Sequence, residues 1–218
     1  MKALRMTLMV VAIVALAGSA MAQNTVYVDQ GGAGAMNGTN YGLTLDLDGS
    51  TTNTYVEDQT PDNETVYRAS FWFDPNSIPM GGTGERFEIF LARTSTFKNV
   101  LRLQFMSLNT QYRVRLQVLK NNNEWVDTRL LGDTGKRFID FASGPQQITV
   151  EVVYGDPSES YASVTANGIT HYKDGYWSNS WSVDRVRMGG PRMTQATGGP
   201  FTGQVFFDEF ESYRTLAP

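Results

Sequence analysis

Six residues between positions 172 and 181 carry side chains suited to holding a ligand: Tyr172, Asp174, Tyr176, Trp177, Asn179 and Trp181. Sugars rest their C–H faces on exposed aromatic rings, while nearby carboxylates and amides bond their hydroxyls. Alternation places Tyr172, Asp174 and Tyr176 on one side of an extended segment, although Gly175 and Ser178 point to a bend. The competing reading packs Trp177 and Trp181 over a sheet edge as part of the core. Covalent chemistry has few places to reside. There is one histidine, His171, and no cysteine, so thiol nucleophiles and thiolate metal sites are excluded. A Ser-His-Asp triad would hang on His171 alone, without a Gly-x-Ser-x-Gly elbow to serve it, and a catalytic zinc normally asks for three protein ligands. His171 follows a hairpin turn and is expected to face solvent. Glu209 and Glu211 would share one face of a strand, near the separation of about 5 Å that retaining hydrolysis needs. Asp46-Leu47-Asp48-Gly49-Ser50 lacks the later acids of a calcium loop and reads as a turn. No metal residue is assigned.

The elements that must position these residues are strands. Beyond residue 22, short runs of β-branched and aromatic residues alternate with period two, broken by Gly, Asn, Asp and Pro. Strands are expected over 41–47, 66–73, 87–92, 100–106, 112–119, 124–130, 148–154, 161–166, 183–188 and 204–213. Two Gly-rich loops are expected, at 31–40 and 193–200. Asn167-Gly168 supplies the positive φ angles of a tight hairpin turn. Trp72 and Phe207 are expected in the core. Within 205–210, Val205, Phe207 and Glu209 fall on one face and Phe206, Asp208 and Phe210 on the other. Asp208 then shares a face with bulky rings and needs a partner, which backbone N–H groups of a neighbouring loop would provide. Turns every 8 to 12 residues or so mark an all-β chain, an antiparallel β-sandwich or jelly roll.

The first 22 residues read as a removable signal peptide. Lys2 and Arg5 precede an apolar stretch over 7–17, too short for a bilayer of roughly 30 Å, and Ala20-Met21-Ala22 supplies the small residues of a cleavage site. Residues 23–218 would form one β-sandwich domain, secreted or periplasmic, without a membrane span after processing. Removing Lys2 and Arg5 from 18 basic residues leaves 16 against 22 acidic ones. That balance gives no electrostatic footprint for nucleic acid.

Four segments resemble laminin-G-like members of the concanavalin A-like jelly-roll superfamily. They are the aromatic run 67–75 ended by Pro75, the hairpin 148–168 ending in Asn167-Gly168, Val186-Arg187-Met188-Gly189-Gly190, and the closing run 201–210. Calcium occurs in that superfamily, so structural calcium is conceivable but not assignable here. Its β-glucanase-like members carry Glu-x-Asp-x-x-Glu, and the strand Asp208-Glu209-Phe210-Glu211 lacks the third acid. Residues 171–179, His-Tyr-Lys-Asp-Gly-Tyr-Trp-Ser-Asn, are similar to the Tyr-Phe-Lys-Ala-Gly-x-Tyr-x-Gln motif of alginate-lyase-like jelly rolls. That resemblance implies that Lys173 neutralises a uronate carboxylate. Trp177, which has no titratable proton, stands where those enzymes place an acid–base tyrosine.

Taken together, the residues favour a secreted, non-catalytic module that binds carbohydrate or another extracellular surface ligand, with no cofactor. Two readings stay open beside it: a polysaccharide lyase or glycoside hydrolase on the same fold, and a structural cell-envelope or matrix protein.

Overall fold

The computed structural model describes residues 23–80, 84–130, 135–194 and 201–215. The expected signal peptide lies outside them, as does most of the second Gly-rich loop. Two antiparallel sheets face each other. The eight-stranded sheet runs, in spatial order, β1 (Thr25–Gln30), β2 (Tyr41–Asp48), β15 (Thr202–Tyr213), β4 (Val66–Asp74), β11 (Gln146–Val153), β12 (Tyr161–Ala166), β13 (Ile169–Asp174) and β9 (Arg129–Leu130). The seven-stranded sheet runs β10 (Ile139–Asp140), β7 (Gln111–Leu119), β6 (Asn99–Leu108), β5 (Arg86–Arg93), β14 (Arg185–Thr194) and β3 (Thr54–Asp58), with β8 (Trp125–Asp127) flanking the far end of β7.

Alternation builds the interior as expected. Phe71 and Phe73 of β4, Phe207 of β15, and Ile148, Val150 and Val152 of β11 point inward from the first sheet, all fully buried. Phe87 and Phe90 of β5, Leu101, Leu103 and Phe105 of β6, and Val114, Leu116 and Val118 of β7 meet them from the second. Phe71 stacks on Phe90 at 5.8 Å, and Phe73 meets Phe105 edge-on at 5.1 Å. These ring contacts join the layers, each adding to the area burial that holds a sandwich together. The turn between β12 and β13 is the expected Asn167-Gly168, both residues at positive φ, 51° and 70°. Asp208 also does what was expected of it. Its Oδ2 accepts from the Met36 N–H at 2.6 Å and from the Thr39 hydroxyl, tying down the loop after β1.

Three expectations fail for tertiary reasons. Trp72 does not enter the core: Phe71 and Phe73 take the inner positions, which leaves Trp72 half-buried on the outer face. His171 does not face solvent. It lies opposite Val164 on the inner face of the eight-stranded sheet, 2% exposed. The face assignment along β15 breaks at a bulge between Asp208 and Glu211, where Glu209 adopts φ 50°. Glu209 and Glu211 therefore do not stand as neighbours on one face. Asn37 donates to Glu209 at 2.9 Å and the Tyr213 hydroxyl to Glu211 at 2.6 Å.

Candidate functional site

The six sequence-predicted ligand residues are distributed over several environments. Tyr172 is half-buried on the outer face of the eight-stranded sheet, between Ser163 and Arg129. Asp174 is exposed at the end of β13, opposite Tyr161. Tyr176 is buried, 3% exposed, and burial pushes its phenol far above the ordinary value. Trp177 stands 57% exposed. Asn179 is held between Asn121, which donates to it at 2.6 Å, and Asp156, to which it donates at 2.7 Å. Trp181 packs on the core, with the Lys98 ammonium 5.9 Å from its ring centre. Lys173 donates to the Asp174 carbonyl at 2.5 Å. Among the described residues no third acid joins Asp46 and Asp48 in a cation site, and Asp48 accepts the Ser50 N–H at 3.1 Å.

A different region gathers charge. The outward positions of the seven-stranded sheet carry Arg86 and Arg93 on β5, Arg102 on β6, Arg113 and Arg115 on β7, and Arg185, Arg187 and Arg192 on β14. That is eight of the thirteen arginines in the chain. Four carboxylates share the face: Glu57, Glu88, Asp127 and Asp140. The chain as a whole carries a formal net charge of −4, yet this face is positive. Cross-strand register explains the convergence, since directly opposed residues of antiparallel strands share a face. One row across the sheet reads Arg115, Gln104, Glu88, Arg192; the next reads Asp127, Gln117, Arg102, Leu91, Arg187, Glu57.

At one end of this face lies a cleft of about 300 Å³. Arg93, Arg192, Lys98, Asn99, Asn123, Trp125, Phe97 and Leu119 line it. Among the described residues the lining thus offers three cations, two amides and two aromatic rings, and no carboxylate. Each is positioned by its element. Trp125 stands opposite Leu119, and the Arg102 guanidinium lies 4.1 Å over its ring. Arg102 also donates to Gln117 at 2.8 Å, which fixes its plane. Arg93 donates to the Phe97 carbonyl at 2.5 Å, and Phe97 itself sits in the left-handed region, φ 65°. Trp181, through Lys98, is the one sequence-predicted residue that adjoins this cleft.

Glu88 lies beneath. It is 2% exposed, with the Gln104 amide as its hydrogen-bonding neighbour. Its nearest cations, Arg102 at 3.6 Å and Arg192 at 3.9 Å, are beyond hydrogen-bond reach. Burial raises its pKa, and the neighbouring guanidiniums only partly offset that. Arg102 and Arg115 are in turn pulled below the ordinary guanidinium value, chiefly by burial, and remain cationic at neutral pH.

This face does not stand out in the sequence. The available signal was the pairing of like residues two apart, Arg113-x-Arg115 and Arg185-x-Arg187, which puts both guanidiniums on the same side of a strand. That these strands lie in one sheet, and that all the pairs face outward, is a tertiary fact.

No family model and no curated protein matches the chain. Solved structures do. A cellulose-induced protein, Cip1, superposes with a TM-score of 0.58 at 13% identity, over 90% of this chain and 89% of that one. An endo-β-1,4-glucuronan lyase from the fungus Trichoderma reesei gives 0.55 at 13% identity, over 87% of each chain. The receptor-binding domain of botulinum neurotoxin type G gives 0.51 at 12% identity, over 86% of this chain and 42% of that one. At such identities the likeness concerns architecture. The fold is the concanavalin A-like jelly-roll sandwich.

Proposed function

We propose that this chain is an exported, non-catalytic module that binds acidic polysaccharide, with the ligand seated on the arginine-rich outer face of the seven-stranded sheet. The observation that carries this reading is the composition of the cleft: Arg93, Arg192 and Lys98 with Asn99, Asn123 and Trp125, and no carboxylate among the described residues of the lining. Guanidinium forks match carboxylate geometry, amides bond hydroxyls, and an aromatic ring takes the C–H face of a sugar. A uronate presents all three features at once. The neighbours named for glucuronan and for cellulose induction support a carbohydrate ligand. The N-terminal charge, apolar stretch and Ala-x-Ala pattern support export.

Titration calorimetry of the chain lacking residues 1–22 against polyglucuronate, alginate and a neutral β-glucan tests the reading. Binding to the polyuronates that weakens steadily with added salt is expected, with no heat from the neutral glucan. Equal binding to neutral and acidic glycans would refute the acidic specificity. Absence of binding to either would refute the module.

A lyase on the same fold is the second reading, favoured by the neighbour named for glucuronan. His171 is sealed on the inner face of the opposite sheet, and Lys173 bonds a backbone carbonyl. A single amine, Lys98, lines the cleft. Absorbance of unsaturated products, followed during the same titrations, decides between the readings. Turnover that disappears in Lys98→Ala would make the chain a lyase.

A further inference from the structure

The same outer face has a second cationic hollow, about 230 Å³ in volume, at the opposite end of β7. Arg113, Gly135, Lys136 and Asp140 line it together with Phe138, just before β10. Three guanidiniums surround that ring: Arg137 at 5.2 Å, Arg115 at 5.5 Å and Arg113 at 5.9 Å from its centre. Among the described residues, two carboxylates partly balance them. Asp140 accepts from Arg113 at 2.9 Å, and Asp127 lies 3.6 Å from Arg115 and 3.7 Å from Arg137. The hollow therefore resembles the cleft in kind: its lining sets Arg113 and Lys136 against the carboxylate of Asp140, around an aromatic ring.

Its spacing from the cleft is fixed by one strand. Leu119 lines the cleft and Arg113 lines the hollow. Six residues along a strand span about 20 Å at roughly 3.3 Å per residue. The outward positions between them carry Gln117 and Arg115 on β7, with Arg102 and Gln104 opposite on β6. Gln104 accepts two bonds from Arg115, at 3.2 and 2.6 Å, and Gln117 accepts one from Arg102. The strip is polar throughout, and its guanidiniums are held in place.

We infer that the Phe138 hollow is a second anion subsite, and that this face takes an extended polyanionic chain spanning both ends rather than a short acidic sugar. The inference rests on the acidic-polysaccharide reading and adds a length requirement to it. A disaccharide reaches one subsite; a longer oligomer engages both, and the second contact forms at high effective concentration.

A length series of oligoglucuronates, disaccharide to octasaccharide, titrated into the chain lacking residues 1–22 tests this. Affinity is expected to rise by about 10²-fold or more once the oligomer spans both hollows. In Arg113→Gln/Arg137→Gln that step disappears, while disaccharide binding in the cleft persists. Arg137→Gln alone, at a side chain 48% exposed, reduces the step without threatening the fold. An affinity independent of length, or a variant that weakens short and long ligands alike, would overturn the second subsite and leave the first reading standing. Absence of binding at any length would remove the acidic-polysaccharide reading itself.

Discussion

The two sheets share a construction and differ in what their outer faces do with charge. On the eight-stranded sheet a row crosses from Tyr213 through Arg68, Glu151, Ser163 and Tyr172 to Arg129. Glu151 is fully engaged there: Arg68 lies at 3.6 Å, the Tyr161 hydroxyl donates at 2.6 Å and the Ser163 hydroxyl at 3.2 Å. The corresponding row of the seven-stranded sheet passes Arg115, Gln104, Glu88 and Arg192, and its buried carboxylate lies 3.6 and 3.9 Å from its nearest guanidiniums. One face carries a surplus of carboxylates, Asp46, Asp74, Asp208 and Glu211 among them; the other retains a surplus of guanidiniums around a buried acid. A jelly roll thus specifies where outward positions fall, and the residues placed there decide whether a face is inert or receptive.

The largest expected effect comes from the core that both faces share. Phe207→Ala should lower unfolding stability by ~3–5 kcal/mol, as buried aromatic truncations do, whereas Trp72→Ala, on the outer face, should cost about 1 kcal/mol. Urea denaturation of both variants checks the pair, and equal losses would mean that inner and outer positions on β4 are misassigned.

Next is the contrast between faces. Arg192→Ala/Lys98→Ala should weaken polyuronate binding roughly 10- to 100-fold, the loss expected of charge-assisted contacts worth ~1.5–3 kcal/mol, and should flatten the salt dependence. Arg68→Ala on the opposite sheet should leave affinity unchanged. Comparable losses in the two would erase the distinction between the faces.

Glu88 gives a smaller, pH-dependent effect. Its folded pKa is raised by burial, so the folded state holds the proton more tightly than the unfolded chain. The stability this contributes is fully present below the ordinary glutamate pKa and is lost as pH rises through the raised folded value. Over the same window ionised Glu88 competes for Arg102 and Arg192, so polyuronate affinity should fall with rising pH. The other groups facing Glu88 are Arg86, Gln104 and, beyond Gln104, Arg115. Glu88→Gln should bind several-fold more tightly at neutral pH and lose the pH dependence of both quantities. A wild-type profile flat from mildly acidic to neutral pH would contradict this assignment.

The smallest effect concerns the segment that the sequence singled out. Trp181→Ala should reduce affinity by about 1 kcal/mol, because Trp181 adjoins the cleft through Lys98. Trp177→Ala should change it less. The reverse order would move the ligand toward the 171–179 loop.

Local physics was legible without the fold. Period-two runs placed the principal strands, Asn167-Gly168 announced its turn because few other pairs accept two positive φ values, and the apolar runs named Phe207 as core. Asp208 was readable too, since a carboxylate among aromatic rings must find donors. Strands β1, β3 and β13 were not legible, being short or polar and dependent on neighbouring strands for their hydrogen bonds. Alternation alone does not say which face is inner. Trp72 lost the core to Phe71 and Phe73, His171 was drawn inside opposite Val164, and the bulge at Glu209 reset the alternation of β15. The candidate site lay beyond sequence reasoning for a related reason. Its arginines are spread from position 86 to position 192, and only the pairing of β7, β6, β5 and β14 brings them onto one surface. Which side of each strand meets the core is settled by packing between sheets, and that choice decided that the surplus charge would face outward together.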